Sequence, residues 1–167
     1  MAANNLTAER LRAVLDYDRD SGVFTWRLRI SRKIRVGSIA GNIMRNGYVQ
    51  LMIDGRNYMA HRLAWLYVYG CWPQKVIDHI DGNPTNNRIS NLRDVTQREN
   101  TENQRHPRSN NAVGLLGVCR NKHRWRATIQ SCGRWRHLGT FDTPEEAHSA
   151  YLAAKAVLHI SAHSPTA

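Results

Sequence analysis

The chain has 167 residues, room for one ordinary domain or two small ones, and 41% of them are hydrophobic, enough for a real core. A net charge of +11 and an isoelectric point near 10.3 point to a polyanionic partner, the plainer reading being a merely soluble basic protein. Cys71, Cys119 and Cys132 form no Cys-x-x-Cys pair, which argues against a zinc ribbon and a disulfide framework; no signal peptide precedes the first helix, and no apolar run of ~18 residues predicts a membrane span.

In chain order, Leu6 to Tyr17 reads as a short amphipathic helix capped by Thr7, with Leu11, Val14 and Leu15 on one face. Asp20-Ser21-Gly22 is a turn and Val23 to Trp26 a strand. Residues 27–47 read as a basic, loop-rich arm that either lies along a nucleic-acid groove or is a solvated surface. Tyr48 to Ile53 and Arg56 to Met59 form a hairpin about Asp54-Gly55, a type I′ signal. His61 to Tyr69 is a helix ending at Gly70, its buried stripe Leu63, Leu66 and Tyr67, with Trp65 and Tyr69 as further core candidates. Val76 to Ile80 and Asn91 to Val95 are strands around a polar loop. Thr96 to Asn103 is a helix opened by a capping box, Thr96 with Glu99.

Residues 104–113 read as a linker. Beyond it, Val118 to Arg120, Trp125 to Gln130 and Arg134 to Leu138 are short strands. Thr143-Pro144-Glu145-Glu146 starts a helix whose Ala147, Ala150, Tyr151, Ala154 and Leu158 face the sheet. The flanks are basic: residues 1–60 and 104–167 carry net +5 and +6, while residues 61–103 are balanced at zero. That layout suits flanks that grip phosphates around a centre that keeps its carboxylates for a metal.

The centre holds Asp78-His79-Ile80-Asp81-Gly82-Asn83, then Asn91 and Asn100. A carboxylate and an amide oxygen suit a hard divalent cation, and a neutral histidine beside it can take a proton from water. Neighbours on a regular strand point to opposite faces, so Asp78 and His79 need a twist or bulge to share one site. The Asn91 amide can bridge the loop backbone and hold the His79 ring.

The segment His61 to Asn100 resembles the HNH endonucleases of bacteriophages and mobile introns, over roughly Gly47 to Asn103. The resemblance implies a ββα-metal unit and hydrolysis of DNA phosphodiester bonds with one Mg²⁺ or Mn²⁺ rather than zinc. By motif position it makes Asp78 and Asn100 metal ligands, His79 the general base and Asn91 the residue that orients it. Asn100 stands where many such enzymes carry a final histidine. Arg62 is a candidate phosphate contact; His61 beside it reads as structural.

Residues 117–160 resemble the ethylene-response-factor (AP-two type) DNA-binding domain, a three-stranded antiparallel sheet backed by a helix and laid in the major groove. Strand alternation turns Trp125, Ala127, Ile129, Leu138 and Arg136 inward. It leaves Arg126, Thr128, Gln130, Trp135 and His137 as a groove-reading face, with Arg120, Arg124 and Arg134 at the turns for phosphates. Several outward positions depart from the plant pattern, so no target sequence carries over.

The expected fold is therefore α+β: a basic N-terminal region (1–47), an HNH unit with its hairpin and helices (48–103), the linker, a small sheet-and-helix domain (114–160) and a tail (161–167). The expected function is a homing-type, site-specific endonuclease acting as a monomer on double-stranded DNA, in the cytoplasm of a bacterial or phage-infected cell. The alternatives are a non-catalytic DNA-binding regulator on the same scaffold and a non-specific nuclease.

Overall fold

The computed structural model describes residues 6–104, 107 and 111–159. Parts of the expected linker (105, 106 and 108–110) and the expected tail lie outside them. The architecture is mixed α/β, with small antiparallel sheets and four α-helices among the described residues. The chain divides into two compact units, Met1–Val95 and Thr96–Ala167. No helix among the described residues is long and apolar enough to cross a membrane.

In the first unit, α1 (Ala8–Val14) starts where the Thr7 hydroxyl accepts the Arg10 amide at 3.2 Å. It stops at Val14, three residues short of the expected end. Leu15–Tyr17 instead form β1, paired with β2 (Phe24–Trp26) in the register Leu15↔Trp26 and Tyr17↔Phe24. Leu15 and Tyr17 are buried and Asp16 is exposed, a period of two. The apolar spacing fits both periods, and pairing with Phe24 and Trp26 decides for the strand.

A three-stranded sheet follows, β3 (Asn42–Ile43), β4 (Val49–Ile53) and β5 (Arg56–Met59), in that spatial order. Asp54 and Gly55 have φ of 49° and 76°, as a type I′ turn requires. Then comes α2 (Ala60–Tyr69), closed by Gly70 at φ 76° with its N–H on the Leu66 carbonyl. Leu63 and Leu66 join Leu11, Leu15, Phe24, Leu51 and Ile53 in one core. Tyr67 is half-buried, and Tyr69 is exposed beside Trp65. The unit ends with the hairpin of β6 (Val76–His79) and β7 (Leu92–Val95).

The second unit opens with α3 (Gln97–Glu102), whose reciprocal capping box joins Thr96 and Glu99. Its sheet, β8 (Val118–Asn121), β9 (Arg124–Ser131) and β10 (Arg134–Phe141), has β9 in the middle. On it packs α4 (Pro144–Leu158), started by the Thr143 cap, Pro144 and Glu146. Ala127 and Ala147 are fully buried, their small side chains letting helix and sheet approach closely. At Gly117, φ is 73° and a Cβ would collide with the Tyr151 ring.

The β9–β10 register breaks between His137 and Gly139. This bulge reverses the alternation beyond Leu138. Arg136, before the bulge, stands opposite the buried Ile129 on the inward side, as expected, yet its side chain is exposed.

Candidate active site

Polar side chains are expensive to bury unless they are hydrogen-bonded. The β6–β7 hairpin and its loop nevertheless bury Asp78, His79, Asn87 and Asn91, all at 9% exposure or less. The register sets Asp78 opposite Arg93 and His79 opposite Leu92, with no bulge. The irregularity expected at Asp78-His79 is thus absent, and each side chain meets a different set of partners.

Arg93 donates to Asp78 Oδ2 from Nη2 at 2.7 Å and from Nε at 2.9 Å. The guanidinium supplies the charge that a buried carboxylate needs.

The His79 Nε2 lies 3.1 Å from Asn87 Oδ1. Asn87 Nδ2 donates to the Thr85 carbonyl, so Oδ1 is the atom turned to the imidazole. A proton on Nε2 would be donated to this oxygen and would leave the lone pair on Nδ1. Asn87 is itself held, because the Tyr17 hydroxyl donates to its carbonyl at 2.7 Å. Burial pushes the Tyr17 phenol up to about 12, so it stays a donor.

Asn91, at the end of a short 3₁₀ turn (Ile89–Asn91), ties the loop together. Its Oδ1 accepts the Asp81 amide at 3.0 Å, and its Nδ2 donates to Asp81 Oδ1 and to the Asn86 carbonyl, each at 2.9 Å. The bridge to the loop backbone is as read from the sequence; the contact to the His79 ring is made by Asn87 instead. Burial raises the Asp81 carboxyl, but the Asn83 N–H and the Asn86 and Asn91 amides outweigh it and hold it below the usual carboxylate range. The carboxylate is therefore the form that staples the loop.

Two further rings line His79. His61 stands edge-on at 5.3 Å between centroids, and Tyr48 lies 5.4 Å from His61 and 6.0 Å from His79. His61 is buried, with no hydrogen-bond partner for Nδ1. Burial, then the neighbouring His79 and Arg62, lowers it to about 4. The unfolded chain titrates near ~6.5, so between the two values it binds a proton that the folded chain refuses. Stability is intact above the unfolded value and falls as pH drops towards 4. Going from pH ~7.5 to ~5.5 should cost about 1.4 kcal/mol through this residue alone. Urea titrations at both pH values should show that loss, and His61→Phe should remove it.

Asn100 lies half-buried on α3 in the second unit. Among the described residues no group of three or more His, Cys, Asp or Glu gathers as a metal cage. By residue type, the Asp78 carboxylate suits Mg²⁺, which takes one or two carboxylates and fills its other positions with water and substrate phosphate.

Of the expected phosphate contacts, Arg62 spans the Trp72 ring and reaches the Lys75 carbonyl. Arg120 lies over Trp125, Arg124 pairs with Asp142 at 2.8 Å, and Arg134 is exposed. On the second unit's sheet the cross-strand pairs Trp135↔Gln130 and His137↔Thr128 bring four expected groove residues onto the face that carries Arg126. Beyond the bulge Thr140 pairs with Arg126 and joins that face, a residue that strict alternation misses. A hollow of about 340 Å³ beside Thr128, Gln130 and Trp135 is bounded by Arg98 and Thr101 of α3.

The HNH endonuclease family matches residues 58–102, which include β6, the loop, β7 and α3. Protein 3.8 of Escherichia phage T7 is 36% identical over 105 residues, 61% of this chain and 84% of that protein. The DNA endonuclease I-HmuI of Bacillus phage SP01 is 39% identical over 67 residues, 37% of this chain and 38% of its own length. The SPbeta prophage protein YosQ of Bacillus subtilis (strain 168), named as a candidate HNH homing endonuclease, is 41% identical over 56 residues, 33% of this chain and 32% of its own. The chain thus spans about a third of these two proteins. No solved structure matches it. By its likeness to most of the T7 protein and by the matched segment, the chain belongs to the Protein 3.8 family and carries an HNH endonuclease domain.

Proposed function

We propose that the chain is a metal-dependent DNA endonuclease of the homing type, which cuts one strand per binding event and acts as a monomer. The observation that carries the reading is the buried His79, its Nε2 3.1 Å from Asn87 Oδ1, within the segment matched to the HNH family.

In the mechanism, His79 Nδ1 takes a proton from water. The resulting hydroxide attacks phosphorus in line with the 3′ oxygen, the P–O3′ bond breaks, the leaving 3′ oxygen takes a proton from solvent, and the products end in 5′-phosphate and 3′-hydroxyl. Asn87 keeps the Nε2 proton in place, and Asn91 keeps the loop closed around it. Asp78 would hold Mg²⁺ or Mn²⁺, joined by Asn100 on motif position alone. The cation, when bound, stabilises the charge on the phosphate and the leaving oxygen. The second unit's sheet would read the major groove through Arg126, Thr128, Gln130, Trp135 and His137, with Arg120, Arg124 and Arg134 on phosphates. Its likeness to the AP-two type domain and the alignment of Arg126, Thr128, Gln130, Trp135 and His137 on one face support that role.

The Asn87 assignment is testable alone. Asn87→Ala should lower the cleavage rate ~10–100-fold, the usual cost of losing the partner that orients a functional histidine. Asn87→Asp keeps an oxygen facing Nε2 and should retain more activity.

The Arg93–Asp78 pair favours one other reading, a protein that keeps this scaffold only to bind DNA, because the pair already balances the candidate metal ligand. Sequencing the ends formed in phage DNA with Mg²⁺ or Mn²⁺ separates the readings. Ends at a few sites support a homing enzyme, dispersed ends a non-specific nuclease, and no ends the binder.

A further inference from the structure

The peptide group that follows Asn87 is gripped by a ribbon far from it in sequence. β1, β2 and the turn between them precede the segment matched to the HNH family. Tyr17 of β1 is 8% exposed, its ring 4.7 Å from Phe24 and 5.6 Å from Tyr67 between centroids. Those rings aim the phenol, whose hydroxyl donates to the Asn87 carbonyl. A phenylalanine would satisfy the same packing without the cost of burying a hydroxyl.

The turn makes the second contact. Asp18 shapes it, accepting the Gly22 N–H on its carbonyl at 2.9 Å and the Ser21 hydroxyl on Oδ2 at 2.7 Å. Gly22 has φ of 74°, and a Cβ there would lie 2.5 Å from the Asn87 carbonyl carbon and 2.4 Å from the Arg88 nitrogen. The ribbon thus meets one peptide group twice, by a hydrogen bond to its oxygen and by bare backbone against its carbon and nitrogen. That peptide sets the course of the chain at Asn87, and with it the direction of the amide that stands 3.1 Å from His79 Nε2.

We propose that Tyr17 and Gly22 are positioning residues for strand cleavage, which act through Asn87 to hold its amide oxygen against His79 Nε2. The proposal rests on the reading of His79 as the general base. With the oxygen fixed there, the imidazole favours the tautomer that keeps its proton on Nε2 and leaves Nδ1 to accept one from water. The N-terminal ribbon is then part of the catalytic apparatus, although it touches neither DNA nor metal in this role.

The test uses the full-length protein and two readouts. Tyr17→Phe keeps the ring packing and removes one oxygen. Its single-turnover cleavage with Mg²⁺ should slow about 2–10-fold, the kinetic equivalent of one neutral hydrogen bond, with gel-shift affinity unchanged. Gly22→Ala, which must displace the Asn87–Arg88 peptide, should slow it further. In an Asn87→Ala background Tyr17→Phe should cost nothing more, because its route to His79 is already gone. Val14→Ala loosens the same core and should keep the wild-type rate while folded. The second readout is the ¹⁵N spectrum of the imidazoles at mildly alkaline pH, the His79 signals being those missing from His79→Ala. Wild type should show one protonated and one bare nitrogen, and Tyr17→Phe should draw the two shifts together. Losses that multiply with Asn87→Ala, an equal loss in Val14→Ala, or a His79 spectrum unchanged by Tyr17→Phe would overturn the proposal. If wild type cuts no DNA, the nuclease reading falls, and the spectra alone decide whether the ribbon holds the imidazole.

Discussion

His79→Ala should lower strand cleavage ~10²–10⁴-fold while DNA affinity stays within about twofold of wild type, the span expected for loss of a general base. The separation follows from where the imidazole sits. His79 is 5% exposed and is bound to Asn87 and lined by His61 and Tyr48. A side chain so placed contributes little contact area to DNA, whereas its ring nitrogen faces a proton-transfer task. Removing the ring also leaves a void beside His61, so stability should fall with activity. Single-turnover rates at saturating protein, with gel-shift affinities on the same fragment, check the claim. Equal losses of binding and cutting would make His79 a structural residue.

Arg93→Met should cost about 3–5 kcal/mol of stability, the usual penalty when one partner of a buried ion pair is removed. Asp78 and Arg93 are cross-strand neighbours with side chains 8% and 19% exposed, and two N–H groups converge on one carboxylate oxygen. The pair Asp78→Asn with Arg93→Met removes both charges and should recover most of that loss. Urea unfolding of the four proteins forms the cycle. If Asp78 holds a cation, Mg²⁺ should stabilise Arg93→Met more than wild type, because the ion then supplies the missing charge.

Local chemistry made much of the fold legible. Asp54-Gly55 has one energetically easy turn between two strands, and the Thr143-Pro144-Glu145-Glu146 start satisfies its own backbone donors. Where two periods compete, tertiary pairing decides: Leu15 and Tyr17 suit a helix as well as a strand until Phe24 and Trp26 are beside them. The bulge at Leu138 had no clear mark except Gly139, whose φ of 144° few other residues adopt.

The candidate site divides in the same way. Asp78, His79 and Asn91 stand out by residue type and spacing. Asn87 does not, because it is one of four asparagines between residues 83 and 91, and only the folded loop turns it to His79. Arg93 was equally hidden, since pairing with Asp78 depends on a register that sequence alone leaves open. Tyr17, seventy positions before Asn87, is joined to the loop by tertiary structure alone.

The central claim is that this loop presents His79 for metal-dependent hydrolysis of DNA. Its most direct test is conversion of supercoiled plasmid or phage DNA by wild type and His79→Ala in Mg²⁺, Mn²⁺ or EDTA. Open-circular product formed by wild type, abolished by EDTA and by His79→Ala, is the predicted result. Cleavage that persists in EDTA or in His79→Ala would contradict it.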